Sequence, residues 1–202
     1  MPPDPVRRDA EPAAPGRTFY GVHSFSDKIL FIIDVSGSMD QVPGGEEGGG
    51  RQKIEVAREQ LAGYINNLGA TDRFNVVFFN HEVMPWQPKM LEATEPNKRQ
   101  AIKWIRDQPP LGGTNIHDAL EEGFRIALRA TGARSVDTIF FLTDGKATNG
   151  KVQDPEKILA EVREWNRTAG IRIHSIAVGE HDEVLLRGLA EGTGGKYVVA
   201  GK

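Results

Sequence analysis

The chain has no cysteine among its 202 residues, which excludes a disulfide scaffold and thiolate chemistry without identifying a compartment. It also has no run approaching the roughly 20 apolar residues that span a bilayer. Its start, Met1-Pro2-Pro3-Asp4-Pro5, lacks the charged-then-apolar order of a signal peptide. The chain therefore reads as soluble, with no membrane insertion of its own. A large excess of charge of one sign is missing as well: 25 basic residues stand against 28 acidic ones, for a net charge of -3. That leaves no electrostatic footprint for nucleic acid or an anionic membrane, so the expected partners are proteins. No internal repeat is present, and the length suits one domain with a core large enough to need neither disulfide nor structural metal.

What the chain does have is an unbroken apolar run, Ile29-Leu30-Phe31-Ile32-Ile33, that stops abruptly in Asp34-Val35-Ser36-Gly37-Ser38-Met39-Asp40. Such a run suits a parallel strand covered on both faces, and polar groups gathered where a strand stops lie at the ligand-binding edge of open α/β sheets. A second apolar run, Thr138 to Leu142, ends in Thr143-Asp144-Gly145. Between them, Leu111-Gly112-Gly113-Thr114-Asn115 leads into a helical pattern and sets the Thr114 hydroxyl just ahead of a helix start. If the two strands are neighbours, Asp34, Ser36, Ser38, Thr114 and Asp144 offer two carboxylates and three hydroxyls to one Mg²⁺, with a coordination position left for a partner. Mn²⁺ or Ca²⁺ would serve as substitutes.

Asp34-Val-Ser-Gly-Ser, Thr114 and Asp144 resemble the metal-ion-dependent adhesion site of the von Willebrand factor type A family, as carried by bacterial proteins, and the similarity runs from about Lys28 to Ala200. The resemblance implies a Rossmann-like, doubly wound, mainly parallel six-stranded sheet with one antiparallel edge strand and helices on both faces. It also implies a non-enzymatic module for adhesion or scaffolding, whose metal is bridged to an exposed Asp or Glu of a protein ligand. Both chain ends read as cut, so the expected setting is a larger protein or assembly.

Residues 1–17, with five prolines among charges and alanines, read as an extended linker, leaving 18–202 as a single domain. Thr18 to Val22 is apolar enough for an edge strand. The glycine-rich insert after Val42 lacks the Gly-Lys-Ser/Thr of a phosphate loop and carries Glu46 and Glu47, so it reads as a surface loop beside the site. Helical spacing marks Lys53–Leu68, Asn97–Asp107, a segment from Ile116, Pro155–Arg167 and Glu183–Glu191. Strands are expected at Arg73–Phe79, Glu82–Trp86 (an edge, given Pro85), Val136–Thr143, Arg172–Val178 and Lys196–Val199. Trp86, Trp104 and Trp165 are assigned to core packing, and Asp40 and Asn115 to orienting the site.

The alternative from another class is a metal-dependent phosphatase or hydrolase with Asp34 as nucleophile. Haloacid-dehalogenase phosphatases carry a second aspartate two positions on, where this chain has Ser36, and a hydroxyl cannot perform that acid chemistry. A dinucleotide site is opposed by the Asp34 carboxylate in place of a glycine-rich turn. A serine hydrolase would need a base, for which His117 is nearest, although a surface or capping histidine is the simpler reading. A partner or scaffold of an ATPase is a third reading that uses the same metal bridge.

Overall fold

A computed structural model describes residues 17–43, 50–129 and 136–200. The proline-rich stretch before Arg17 and most of the glycine-rich insert, 44–49, lie outside the described residues. Arg17, assigned above to the linker, is the first residue of a strand, β1 (Arg17–Phe19), which pairs antiparallel with β2 (Val22–Ser24). The two central residues of the turn between them, Tyr20 and Gly21, have φ of 46° and 79°, the left-handed geometry that matches a two-residue hairpin to strand twist. The expected edge strand is therefore a separate hairpin. It buries Phe19 edge-on against Phe31 and Phe140.

The main sheet is built from β3 (Lys28–Asp34), β4 (Arg73–Phe79), β5 (Val83–Pro85), β6 (Leu91–Glu92), β7 (Thr138–Thr143), β8 (Arg172–Ala177) and β9 (Tyr197–Val199). Its order is β5-β4-β3-β7-β8-β9, parallel from β4 through β9, with β5 antiparallel at the edge. These six match the expected sheet. A seventh, two-residue strand, β6, adds antiparallel to the start of β4 through Arg73↔Glu92 and Phe74↔Leu91; two residues are too few to leave a period in sequence. Pro85 ends β5, where its missing N–H breaks no ladder.

The continuous apolar runs follow from burial on both faces. Along β3, Ile29, Phe31 and Ile33 point to one core, packed under α1 (Lys53–Asn66), α2 (Glu95–Asp107) and the hairpin. Leu30 and Ile32 point to the other, under α3 (Ile116–Leu128), α4 (Pro155–Ala169) and α5 (Glu183–Thr193). The five are at most 1% exposed, and at about 1.5–3 kcal/mol each this one strand contributes on the order of 10 kcal/mol of gross hydrophobic stabilisation. Trp86, Trp104 and Trp165 flank these cores half-buried. Pro155 follows the Asp154 cap of α4, whose carboxylate accepts from the Lys157 amide at 2.9 Å, and Gly170 closes that helix at φ 61°.

Topology locates the site. From β3 the chain moves through α1 to β4, then returns past β3 through α2 and α3 to β7 on its other side. The winding reverses between β3 and β7, and ligands of open α/β sheets bind outside the strand carboxyl ends at such a reversal.

Candidate functional site

Asp34 is the last residue of β3 and fully buried. One carboxylate oxygen accepts the Ser36 amide at 2.7 Å and the other the Thr143 hydroxyl at 2.5 Å. Burial pushes its pKa up to about 6; hydrogen bonds from Ser36 and Thr143 oppose the rise, and the Asp144 charge adds to it. Beyond Asp34 the chain makes a single 3-10 turn, Gly37–Asp40, with the Met39 amide bonded to the Ser36 carbonyl at 3.0 Å. Met39 is fully buried beneath it, which fixes Ser36 and Ser38 above. Their hydroxyls lie 3.1 Å apart, and Ser38 donates to Asp144 Oδ1 at 2.7 Å.

The loop before α3 is sewn to this turn through backbone. The Leu111 amide donates to the Val35 carbonyl and the Gly37 amide to the Gly112 carbonyl, both at 3.0 Å. Gly112 has φ 73°, and a Cβ there would fall 2.1 Å from His81 Nδ1, so only glycine fits the turn. Thr114 is held on both sides of its peptide: its amide donates to the Thr148 hydroxyl at 2.9 Å, and its carbonyl accepts the Thr148 and Asn149 amides. The Thr114 hydroxyl lies 3.5 Å from the Cβ position of Gly145 and makes no hydrogen bond to another described residue. Asp34, Ser36, Ser38 and Asp144 are thus linked in one network, with Thr114 beside the Asp144-Gly145 peptide. Asn115 caps α3, accepting the Asp118 amide at 3.2 Å; the helix begins two residues after Thr114.

Two expectations about neighbouring residues are corrected. Asp40 is exposed, and its carboxylate accepts from the Gln52 side chain rather than orienting the cluster. His117 is neither a surface nor a capping residue: it is 2% exposed and bridges α3 to α4 through Asp118 at 2.7 Å and Glu161 at 2.9 Å. That pairing also occupies both its nitrogens, so it does not serve Ser36 or Ser38 as a base. Burial lowers the His117 pKa, but the two carboxylates outweigh it and the net shift is upward.

Two residues of the site escaped sequence reasoning. Thr143 supplies a hydroxyl to Asp34, and its place at a strand end beside an aspartate was the available signal. Lys53, the first residue of α1, is buried and donates to Asp144 Oδ2 at 2.7 Å. Nothing in the sequence separated it from an ordinary helix-surface lysine.

A family model described as the von Willebrand factor type A domain matches residues 27–199. The chain belongs to the von Willebrand factor type A family. It is 33% identical over 157 residues to inter-alpha-trypsin inhibitor heavy chain H3 of Bos taurus, covering 71% of this chain and 16% of that protein. It is 31% identical over 177 residues to heavy chain H4 of Homo sapiens, covering 79% of this chain and 18% of that one. The aligned part of the chain thus spans less than a fifth of these relatives. Among solved structures, a von Willebrand factor type A protein from Catenulispora acidiphila superposes with TM-score 0.70 at 22% identity, over 88% of this chain and 39% of that one. Proximal thread matrix protein 1 from the mussel byssus, described with a zinc-occupied MIDAS motif, superposes with TM-score 0.61 at 20% identity, over 85% and 41%. At such identities these structures establish the shared fold. The type A domain is an adhesion and protein-interaction module, found in the inter-alpha-trypsin inhibitor heavy chains. Among the described residues no helix is long and apolar enough to cross a membrane.

Proposed function

We propose that this type A domain is a non-enzymatic, Mg²⁺-dependent protein-binding module. Asp34, Ser36, Ser38, Thr114 and Asp144 would hold the ion, and an Asp or Glu of the partner would complete its shell. The observation that carries the reading is the donor set: two carboxylates buried to 0% and 3% exposure, three hydroxyls around them, and no nitrogen or sulfur ligand in the cluster. Hard oxygen donors of this kind suit Mg²⁺, with Mn²⁺ or Ca²⁺ as substitutes. The Thr114 hydroxyl supports it, since it makes no hydrogen bond to another described residue and so is open to a metal. The bound ion supplies a positive charge at the strand ends. The chain's own residues fix where that charge sits: Thr143 and the Ser36 amide lock Asp34, Ser38 locks Asp144, and the Leu111 and Gly37 amides hold the two loops in register.

The rival hydrolase reading is disfavoured by Ser36, which puts a hydroxyl where a second acid is needed, and by the engagement of His117 with Asp118 and Glu161. Retention of a partner on immobilised wild-type domain, lost with EDTA and lost in Asp34→Ala, is the expected result. Turnover of a generic phosphate ester with Mg²⁺ that disappears in Asp34→Ala would instead favour the hydrolase.

A further inference from the structure

Lys53 is a lysine in an expensive place. Its side chain is 9% exposed, and it occupies the first turn of α1, where the helix dipole already carries positive partial charge. The side chain runs past Gly179, which has φ 98° and whose Cβ would fall 3.1 Å from both Cε and Nζ. It reaches Asp144 Oδ2 at 2.7 Å, with the Ser38 carbonyl and Gln41 Oε1 each 3.4 Å from the ammonium. The opposite oxygen of Asp144 receives Ser38. A buried cation is thus bonded to the far side of a carboxylate whose near side belongs to the cluster.

We infer that Lys53 is a fixed counter-cation of the metal site: it holds Asp144 when no ion is bound, and it weakens the site's grip on the ion so that the loaded site stays net positive toward an acidic partner. The inference rests on the metal-binding reading above. Asp34 and Asp144 formally cancel a divalent ion, and the Lys53 ammonium leaves one positive charge over. With the ammonium absent, the loaded site would be neutral and its pull on a foreign carboxylate smaller. Repulsion between a divalent ion and an ammonium sharing one carboxylate is large even at an effective dielectric constant of about 20.

The test compares wild type, Lys53→Gln and Lys53→Arg by calorimetric titration with Mg²⁺ and Mn²⁺ alone, and by thermal unfolding with and without metal. Lys53→Gln removes the charge but keeps a donor for Asp144. Its metal-free Tm falls while its Mg²⁺ affinity rises by at least about tenfold, whereas Lys53→Arg keeps the wild-type affinity. A residue of merely structural importance would lower the Tm without tightening metal. Equal or weaker Mg²⁺ affinity in Lys53→Gln, beside a wild type that binds, overturns the role of Lys53 and leaves the metal site standing. A wild type that binds neither ion overturns both. Should Lys53→Gln not fold, the ammonium cross-peak of Lys53 in the ¹⁵N–¹H spectrum of wild-type protein decides: a shift on adding Mg²⁺ supports the inference, and an unmoved peak refutes it.

Discussion

Asp34→Asn should make the metal-free protein more stable at neutral pH while abolishing its response to metal. The Asp34 carboxyl is fully buried, and burial holds its pKa at about 6, above the 3.8 of a free aspartate. Below 3.8 both folded and unfolded states carry the proton, and the group contributes nothing. As pH rises from 3.8 to 6 the unfolded chain ionises while the folded one resists, so folded-state stability falls; above 6 the full penalty is in place. A shift of this size corresponds to about 3 kcal/mol. Asparagine has the same shape and needs no ionisation. Its carbonyl can still accept the Ser36 amide, and the Thr143 hydroxyl can rotate to accept its amide. The variant should gain up to about 3 kcal/mol at pH 7, or roughly 6–12 °C in Tm for a domain of this size, and nothing near pH 3.5. The difference between the two proteins must be read, not the wild-type profile alone. Burial, with Arg172 and Lys196 adding to it, holds the His174 pKa down at about 4, so its contribution runs the other way and is lost as pH falls from the unfolded value toward 4. Urea denaturation in EDTA at a series of pH values measures the difference. An Asp34→Asn protein equal to or less stable than wild type at pH 7 would refute the claim that Asp34 is a strained, buried charge awaiting a cation.

His117, clamped between Asp118 and Glu161, donates through both nitrogens only as the imidazolium. With its folded pKa raised, its contribution is full below the unfolded value near 6.5 and is lost as pH rises through the folded one. His117→Gln should therefore cost about 1–2 kcal/mol at pH 6 and less at pH 9, by chemical denaturation; a constant difference across that range would contradict the ion-pair clamp. Gly195→Ala places a Cβ 1.7 Å from the Ile173 carbonyl oxygen in β8, and backbone cannot step aside cheaply. The expected loss is about 3 kcal/mol or more, seen as a fall in Tm, and a variant that melts with wild type would mean that α5 and β9 reposition freely.

The central strands were legible because burial on both faces leaves only apolar residues in the middle of β3, Ile29–Ile33, and of β7, Ile139–Leu142. Their ends were legible because Asp34 and Asp144 interrupt those runs so sharply. Helices with a strong one-sided stripe, such as α3 with Ile116, Leu120 and Phe124, were equally plain, while the ends of α1, α4 and α5 and the start of α2 were each placed two residues off, because fraying leaves no sequence mark. What escaped depends on contacts far apart in the chain. Lys53 meets Asp144 across 91 positions, and His117 meets Glu161 across 44; local spacing holds no trace of either. The β1–β2 hairpin was missed because Tyr20, a non-glycine residue at positive φ, is not a residue that announces a turn.

One divalent ion, held by five side chains from three loops, would be the centre of partner binding. Calorimetric titration of Mg²⁺ into wild type, Thr114→Ala and Asp144→Asn tests it directly. Thr114 is buried but only borders the cores, so its variant should keep the wild-type fold and Tm in EDTA while losing most of its metal affinity, as Asp144→Asn should. Undiminished Mg²⁺ binding in both variants would place the ion elsewhere and contradict the account.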